Sequence, residues 1–124
     1  MVLGIGIDMI EVERINAKIS KEQGFRELVF SKKEIEYCET KTHKFEHYAA
    51  RFAAKEAFLK AVGTGWINGS SFFEIEILND DNGKPELILL GETANTFQHL
   101  EIKKISVSIS HLKSIASAVV VIEN

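Results

Sequence analysis

The chain has 124 residues, 45% of them hydrophobic and 27% charged, with a formal net charge of −3. That length supports one domain with a single core, small enough for oligomerisation to add stability, and the charge argues against a general nucleic-acid binder. A lone cysteine, Cys38, excludes an internal disulfide, and no apolar run nears the roughly 20 residues that span a bilayer, so the expectation is a cytoplasmic protein bound to neither membrane nor nucleic acid. The start of the chain has no cationic flank, and Asp8 interrupts its apolar stretch, so it does not read as a leader peptide.

Val2 to Met9 reads as a strand. Leu3, Ile5, Ile7 and Met9 form one large apolar face, whereas Gly4, Gly6 and Asp8 form the other. Two positions without side chains predict a very close approach by another backbone or by a ligand. Asp8 then has two readings, as a cap for the following helix or as part of a site. From Glu11 to about Ser20 the pattern is helical. Val12, Ile15 and Ile19 make its buried stripe, and Arg14, Lys18 and Lys21 line an adjoining face. With Phe25 and Arg26 just beyond, this basic row is either a solvated face or a seat for an acidic helix.

Ser31-Lys32-Lys33-Glu34 has the form of a capping box and opens a short helix through about Cys38, followed by a polar loop from Glu39 to Lys44. The main helix is predicted from about Phe45 to Val62, with Gly63 as its left-handed cap. At about 100° per residue, Phe45, Phe52 and Leu59 share a stripe that also takes Glu56, and Lys60 follows one turn later. His43 and His47, four apart on this segment, make at most half of a zinc site. After a loop from Trp66 to Ser71, Phe72 to Leu78 alternates as a strand. The turn-rich Asn79–Pro85 segment and a returning strand, Glu86 to Leu90, complete a hairpin. Glu92 to Leu100 is predicted helical. Ile105 to Ser110 is a strand continued by His111, and Ile115 to Ile122 is a nearly continuous apolar strand, buried on both faces or set in an oligomer interface. Strand, helices, hairpin, helix and two strands in this order argue an α+β fold, residues 1–124 forming one domain with a mostly antiparallel sheet against a long helix.

A carboxylate on a core-facing stripe is costly unless a cation takes it. For Glu56 that cation is Lys60 or a metal ion, and the helix alone does not choose. Asp8 is a second carboxylate among apolar neighbours. One hard divalent ion would satisfy both, since Mg²⁺ favours one or two carboxylates, waters and substrate phosphate oxygens. Lys60 would face the same phosphates, Arg51 and Lys55 project from an adjacent helix face, and Gly63-Thr64-Gly65 offers backbone amides.

These elements, in this order, resemble one family. Gly4-Ile5-Gly6-Ile7-Asp8 with Glu11 and Arg14, Arg51-Phe52-Ala53-Ala54-Lys55-Glu56-Ala57 with Lys60-Ala61, Gly63-Thr64-Gly65, Asn82-Gly83-Lys84-Pro85 and Val107-Ser108-Ile109-Ser110-His111 are similar to the holo-acyl-carrier-protein synthases. These are the short bacterial type of 4′-phosphopantetheinyl transferase, and the likeness spans nearly the whole chain. The resemblance implies that fold and a transfer of the 4′-phosphopantetheine arm of coenzyme A to a serine of apo acyl carrier protein, releasing adenosine 3′,5′-bisphosphate in fatty acid biosynthesis. It implies Asp8 and Glu56 as ligands of Mg²⁺, with Lys60 as a fixed charge beside them. Contacts to coenzyme A are implied for Arg51, Lys55, Gly63, Thr64, Gly65 and His111. Docking of the acidic carrier is implied for Arg14, Lys18, Lys21, Phe25 and Arg26, and a homotrimer with its active site between subunits. The general base is either Glu56 or Glu34, the latter with its capping-box alternative. Leu112 departs from the small polar residue that often follows the histidine in the family. Two rival readings are a metal-dependent enzyme that cleaves a nucleotide pyrophosphate, and a non-catalytic subunit that binds carrier or nucleotide.

Overall fold

A computed structural model covers residues 1–124 and resolves them into β1 (Val2–Glu11), α1 (Val12–Lys21), α2 (Phe25–Val29), α3 (Lys32–Glu39), α4 (Lys44–Val62), β2 (Ile75–Asn79), β3 (Pro85–Leu89), α5 (Gly91–Thr96), β4 (Lys104–His111) and β5 (Ile115–Glu123). β5 is the central strand of an antiparallel sheet with β1 and β4 on its flanks, and β2 and β3 form a separate hairpin. The architecture is α+β. Helix α4 packs across β1 and β5, with α1, α3 and β2 against its other sides.

What fills the glycine face of β1 is another backbone. A β-carbon at Gly6 would lie 1.8 Å from the Ala57 carbonyl oxygen, and one at Gly4 would lie 2.0 Å from that of Ala61. The helix answers with small residues: Ala49, Ala50, Ala53, Ala54, Ala57 and Ala61 are all buried. This close seating moves the buried face away from the stripe predicted from periodicity. Phe45 and Phe52 are only half-buried, Phe52 stacking on Phe72 at 5.9 Å between ring centroids. Glu56, on the same stripe, therefore lies at the edge of the core rather than within it.

The apolar face of β1 has the opposite fate. Ile5, Ile7 and Met9 are each 64% exposed. Ile5 pairs with Val121 and Ile7 with Val119, so those valines point the same way, and Ser106 and Ser108 of β4 extend the row. On β5, Ala116, Ala118, Val120 and Ile122 face the helix and are buried, while Val119 and Val121 face outward. The nearly continuous apolar strand is thus covered on one face by α4 and open on the other in the single chain.

Three stretches differ from the sequence expectation. Residues Phe25–Val29 form a short helix after Gly24, which enters it in the left-handed region (φ 85°) and so carries no capping side chain to announce it. Phe72–Glu74 is a 3₁₀ turn rather than the first part of a strand, because Lys55 Nζ gathers the carbonyls of Phe72 and Ile75. The predicted helix Glu92–Leu100 divides into α5 and a 3₁₀ turn at Gln98–Leu100.

Candidate active site

The close seating of α4 on β1 brings Asp8, Glu56 and Lys60 together at one edge of the helix. Lys60 Nζ donates to Asp8 Oδ1 at 3.0 Å and to the Ile7 carbonyl at 2.9 Å. Glu56 has neither a salt bridge nor a hydrogen-bond donor of its own. Partial burial, and then the negative charge of Asp8, hold its carboxyl above the usual carboxylate range, with Lys60 opposing. Two carboxylates share this edge with one ammonium, which leaves one negative charge uncompensated. Oxygen donors in that arrangement fit a hard divalent ion.

The neighbouring lysine does not join them. Lys55 and Glu34 are both 0% exposed, with Nζ 2.7 Å from Glu34 Oε1. The same ammonium donates to the Phe72 carbonyl at 2.8 Å and to that of Ile75. Glu34 also accepts from the backbone amides of Ser31 and Ile77. The capping-box reading of Glu34 is the one realised, since Ser31 and Glu34 bond reciprocally. With both oxygens engaged and no path to solvent, Glu34 is not positioned as a general base, and Lys55 is not presented to a ligand. Burial lowers the Lys55 pKa despite its partner.

The loop after α4 also departs from expectation. Gly63 closes the helix at φ 84°, as predicted, but its amide bonds to the carbonyls of Leu59 and Lys60, and that of Gly65 bonds to Leu59. The C-terminal end of a helix exposes carbonyls that need donors, so these two amides are taken and do not face a phosphate.

A second cluster occupies the opposite edge of α4. His111, at the end of β4, hydrogen-bonds through Nδ1 to Glu46 Oε1 at 2.9 Å, the carboxylate accepting, and sits edge-on to His47 at 5.1 Å. Burial, followed by the charges of His111, Arg51 and Lys41, lowers the His47 pKa. Arg51 is 1% exposed, lies over the Tyr37 ring at 4.2 Å, donates to Asn79 Oδ1 at 2.6 Å, and keeps a buried Nε without a partner. His47 belongs to this group, although its spacing from His43 suggested only a zinc half-site. Its proximity to His111 links residues far apart in the chain and left no mark in the sequence. His47 and Glu56 are nine positions apart, about 2.5 helical turns, which sets the two clusters on opposite sides of α4 and about 13.5 Å apart along it.

On α1, Arg14 and Lys21 are exposed and without salt-bridge partners, whereas Lys18 pairs with Glu22 at 3.3 Å and lies over the Phe25 ring. Arg26 is held by Glu27 at 2.8 Å and Glu39 at 3.4 Å, so its charge is largely neutralised within the chain. Cys38 is fully buried and its thiol is pushed up to about 12 by that burial, an inert core group.

The sheet, the long helix and the carboxylate edge define a class. The profile of the 4′-phosphopantetheinyl transferase superfamily matches residues 4–120, and the chain belongs to that superfamily. Within it the chain groups with the holo-[acyl-carrier-protein] synthases. It is 42% identical over 124 residues to the holo-[acyl-carrier-protein] synthase of Geotalea daltonii, covering 99% of both chains. The crystal structure of the Neisseria meningitidis holo-[acyl-carrier-protein] synthase superposes with a TM-score of 0.90 at 34% identity, covering 100% of each chain. That of a Bacillus anthracis holo-(acyl-carrier-protein) synthase in complex with CoA (3′,5′-ADP) gives 0.81 at 41% identity, covering 98% of this chain and 96% of that one.

Proposed function

We propose that this cytoplasmic protein transfers the 4′-phosphopantetheine arm of coenzyme A to a serine of apo acyl carrier protein, releasing adenosine 3′,5′-bisphosphate, with Mg²⁺ held by Asp8 and Glu56. The observation that carries the reading is the pairing of these two carboxylates beside Lys60 at one edge of α4. When bound, the ion supplies charge neutralisation for the diphosphate and its leaving group. Lys60, 54% exposed at its side chain, turns from Asp8 to the diphosphate oxygens and fixes the phosphorus for attack. Glu56, which has no hydrogen-bond donor of its own, is the carboxylate placed to take the serine hydroxyl proton through a water. The serine oxygen bonds to the β-phosphorus as the bond from that phosphorus to the bridging oxygen breaks, and the electron pair leaves on adenosine 3′,5′-bisphosphate.

The cluster of the half-buried His47 and His111, with the buried Arg51 guanidinium nearby as its one fixed cation, suits the remaining phosphate and base of coenzyme A. It lies across the helix from the carboxylates of its own chain, so one extended ligand meets both sets best at a junction of two copies. The open apolar face of the sheet supports that junction, and a homotrimer places one such site at each boundary. The exposed Arg14 and Lys21, with Lys18 and Phe25, form the seat for the acidic carrier. Incubating the purified chain with coenzyme A, Mg²⁺ and an apo carrier protein, then weighing the carrier, tests the reading. The expected result is a gain equal to the phosphopantetheine arm. Nucleotide cleavage with an unmodified carrier, or no turnover at all, would overturn it.

A further inference from the structure

Arg51 has a neighbour that the reaction scheme does not use. Its guanidinium donates to Asn79 Oδ1 at 2.6 Å, and the same side-chain amide donates through Nδ2 to the Gly83 carbonyl at 2.9 Å. Asn79 is therefore bonded on one side to a buried cation and on the other to the tip of the β2–β3 hairpin. The tip is otherwise built by Asp80. Its Oδ1 accepts from the amides of Asn82 and Lys84, each at 2.9 Å, its own amide donates to the Lys84 carbonyl, and Gly83 takes φ 83°. These bonds shape the turn but do not attach it to the rest of the molecule. The Asn79 amide does that, through Arg51 and the Tyr37 ring beside it. The turn in question carries the exposed Lys84, and Lys84 and Pro85 line a cleft of about 300 Å³ with Ser106 and Val107 of β4, the strand that ends in His111.

We propose that Asn79 is a positioning residue for coenzyme A: it transmits the fixed place of the Arg51 guanidinium to the hairpin turn, and so holds the turn that carries Lys84 in place relative to Arg51. The proposal rests on the reading of the Arg51–His47–His111 cluster as the nucleotide end of the coenzyme A site. An untethered turn would have to be ordered when the ligand binds, at a cost in conformational entropy that a tethered turn avoids. The residue touches neither the reacting phosphorus nor the serine, so its loss falls on binding and not on the chemical step.

Two substitutions separate the tether from the anchor. Asn79→Asp keeps an oxygen for Arg51 but has no donor for the Gly83 carbonyl, and Asn79→Ala removes both contacts without adding charge. Coenzyme A binding by calorimetry, KM and kcat for transfer, and hydrogen exchange at the Asn82 and Lys84 amides are measured on both and on the parent chain. Each variant is expected to weaken coenzyme A binding and raise its KM by roughly three- to tenfold, the equivalent of one lost hydrogen bond. Turnover should stay within about twofold, with faster exchange at the turn. Weakening in Asn79→Asp alone, abolished by salt, would assign the effect to added charge and overturn the proposal. So would unchanged KM in either variant, or a parallel fall of kcat and melting temperature with KM fixed. Absence of coenzyme A binding by the parent chain would instead remove the reading of the cluster on which the proposal stands.

Discussion

Lys55 and Glu56 are adjacent in the chain and have opposite surroundings. One turns into the core to meet Glu34, and the other faces the edge beside Asp8 without a donor. The difference yields two predictions. Replacing Lys55 by Met leaves the Glu34 carboxylate buried without its cation and is expected to cost about 3 kcal/mol or more in urea unfolding. Adding Glu34→Gln to that variant should recover part of the loss, because the surviving charge is what makes the single change expensive. Glu56→Gln is expected to lower transfer at least about 100-fold while raising the melting temperature near neutral pH. The sign follows from the raised pKa. Between the unfolded and folded values the native state binds the extra proton, so the native chain loses stability as pH rises through that window. The gain in the Gln variant should therefore vanish in melts run below the unfolded glutamate pKa. Added Mg²⁺ should stabilise the parent chain and not the variant.

At the scale of elements, β1 and α4 act as one unit. Gly6→Ala would set a methyl 1.8 Å from the Ala57 carbonyl, which only a shift of the helix can relieve. The expected loss is about 4 kcal/mol or more, read as a collapse of the urea midpoint. The same pairing explains why strand and helix were legible in the sequence. Alternation and helical spacing are local, and the two glycines already implied a close neighbour. Helix α1 contributes differently, through charge. Changing Arg14 and Lys21 to Glu is expected to raise the KM for the carrier at least about tenfold and leave that for coenzyme A unchanged, with the effect shrinking as salt is added. Equal changes in both constants would remove α1 as the docking element. The short helix α2 was not legible, because five residues entered from a left-handed glycine display neither a periodic face nor a capping side chain. The 3₁₀ turn at Phe72–Glu74 was hidden for another reason: its cause, the Lys55 ammonium, lies 17 residues earlier in the chain.

For the whole molecule, the open face of the sheet is the dominant feature. Ile5, Ile7 and Met9 with Val119 and Val121 form an apolar surface of the kind a solvated monomer rarely keeps. Ile7→Lys is expected to yield a folded monomer by light scattering and circular dichroism, and to abolish transfer if the site is shared between copies. A monomer with full activity would separate catalysis from assembly.

The sequence by itself determined the order of the strands and of the helices other than α2, the left-handed end at Gly63, and the close packing at Gly4 and Gly6. Each of these is written in spacing or in residue type along a short stretch. Only the tertiary structure decided that Glu34 is locked to Lys55, that the Gly63 and Gly65 amides serve the helix end, that His47 faces His111, and that the apolar side of β1 is open. Those outcomes depend on which faces of distant segments meet. A face that can be read from periodicity does not carry the name of its partner.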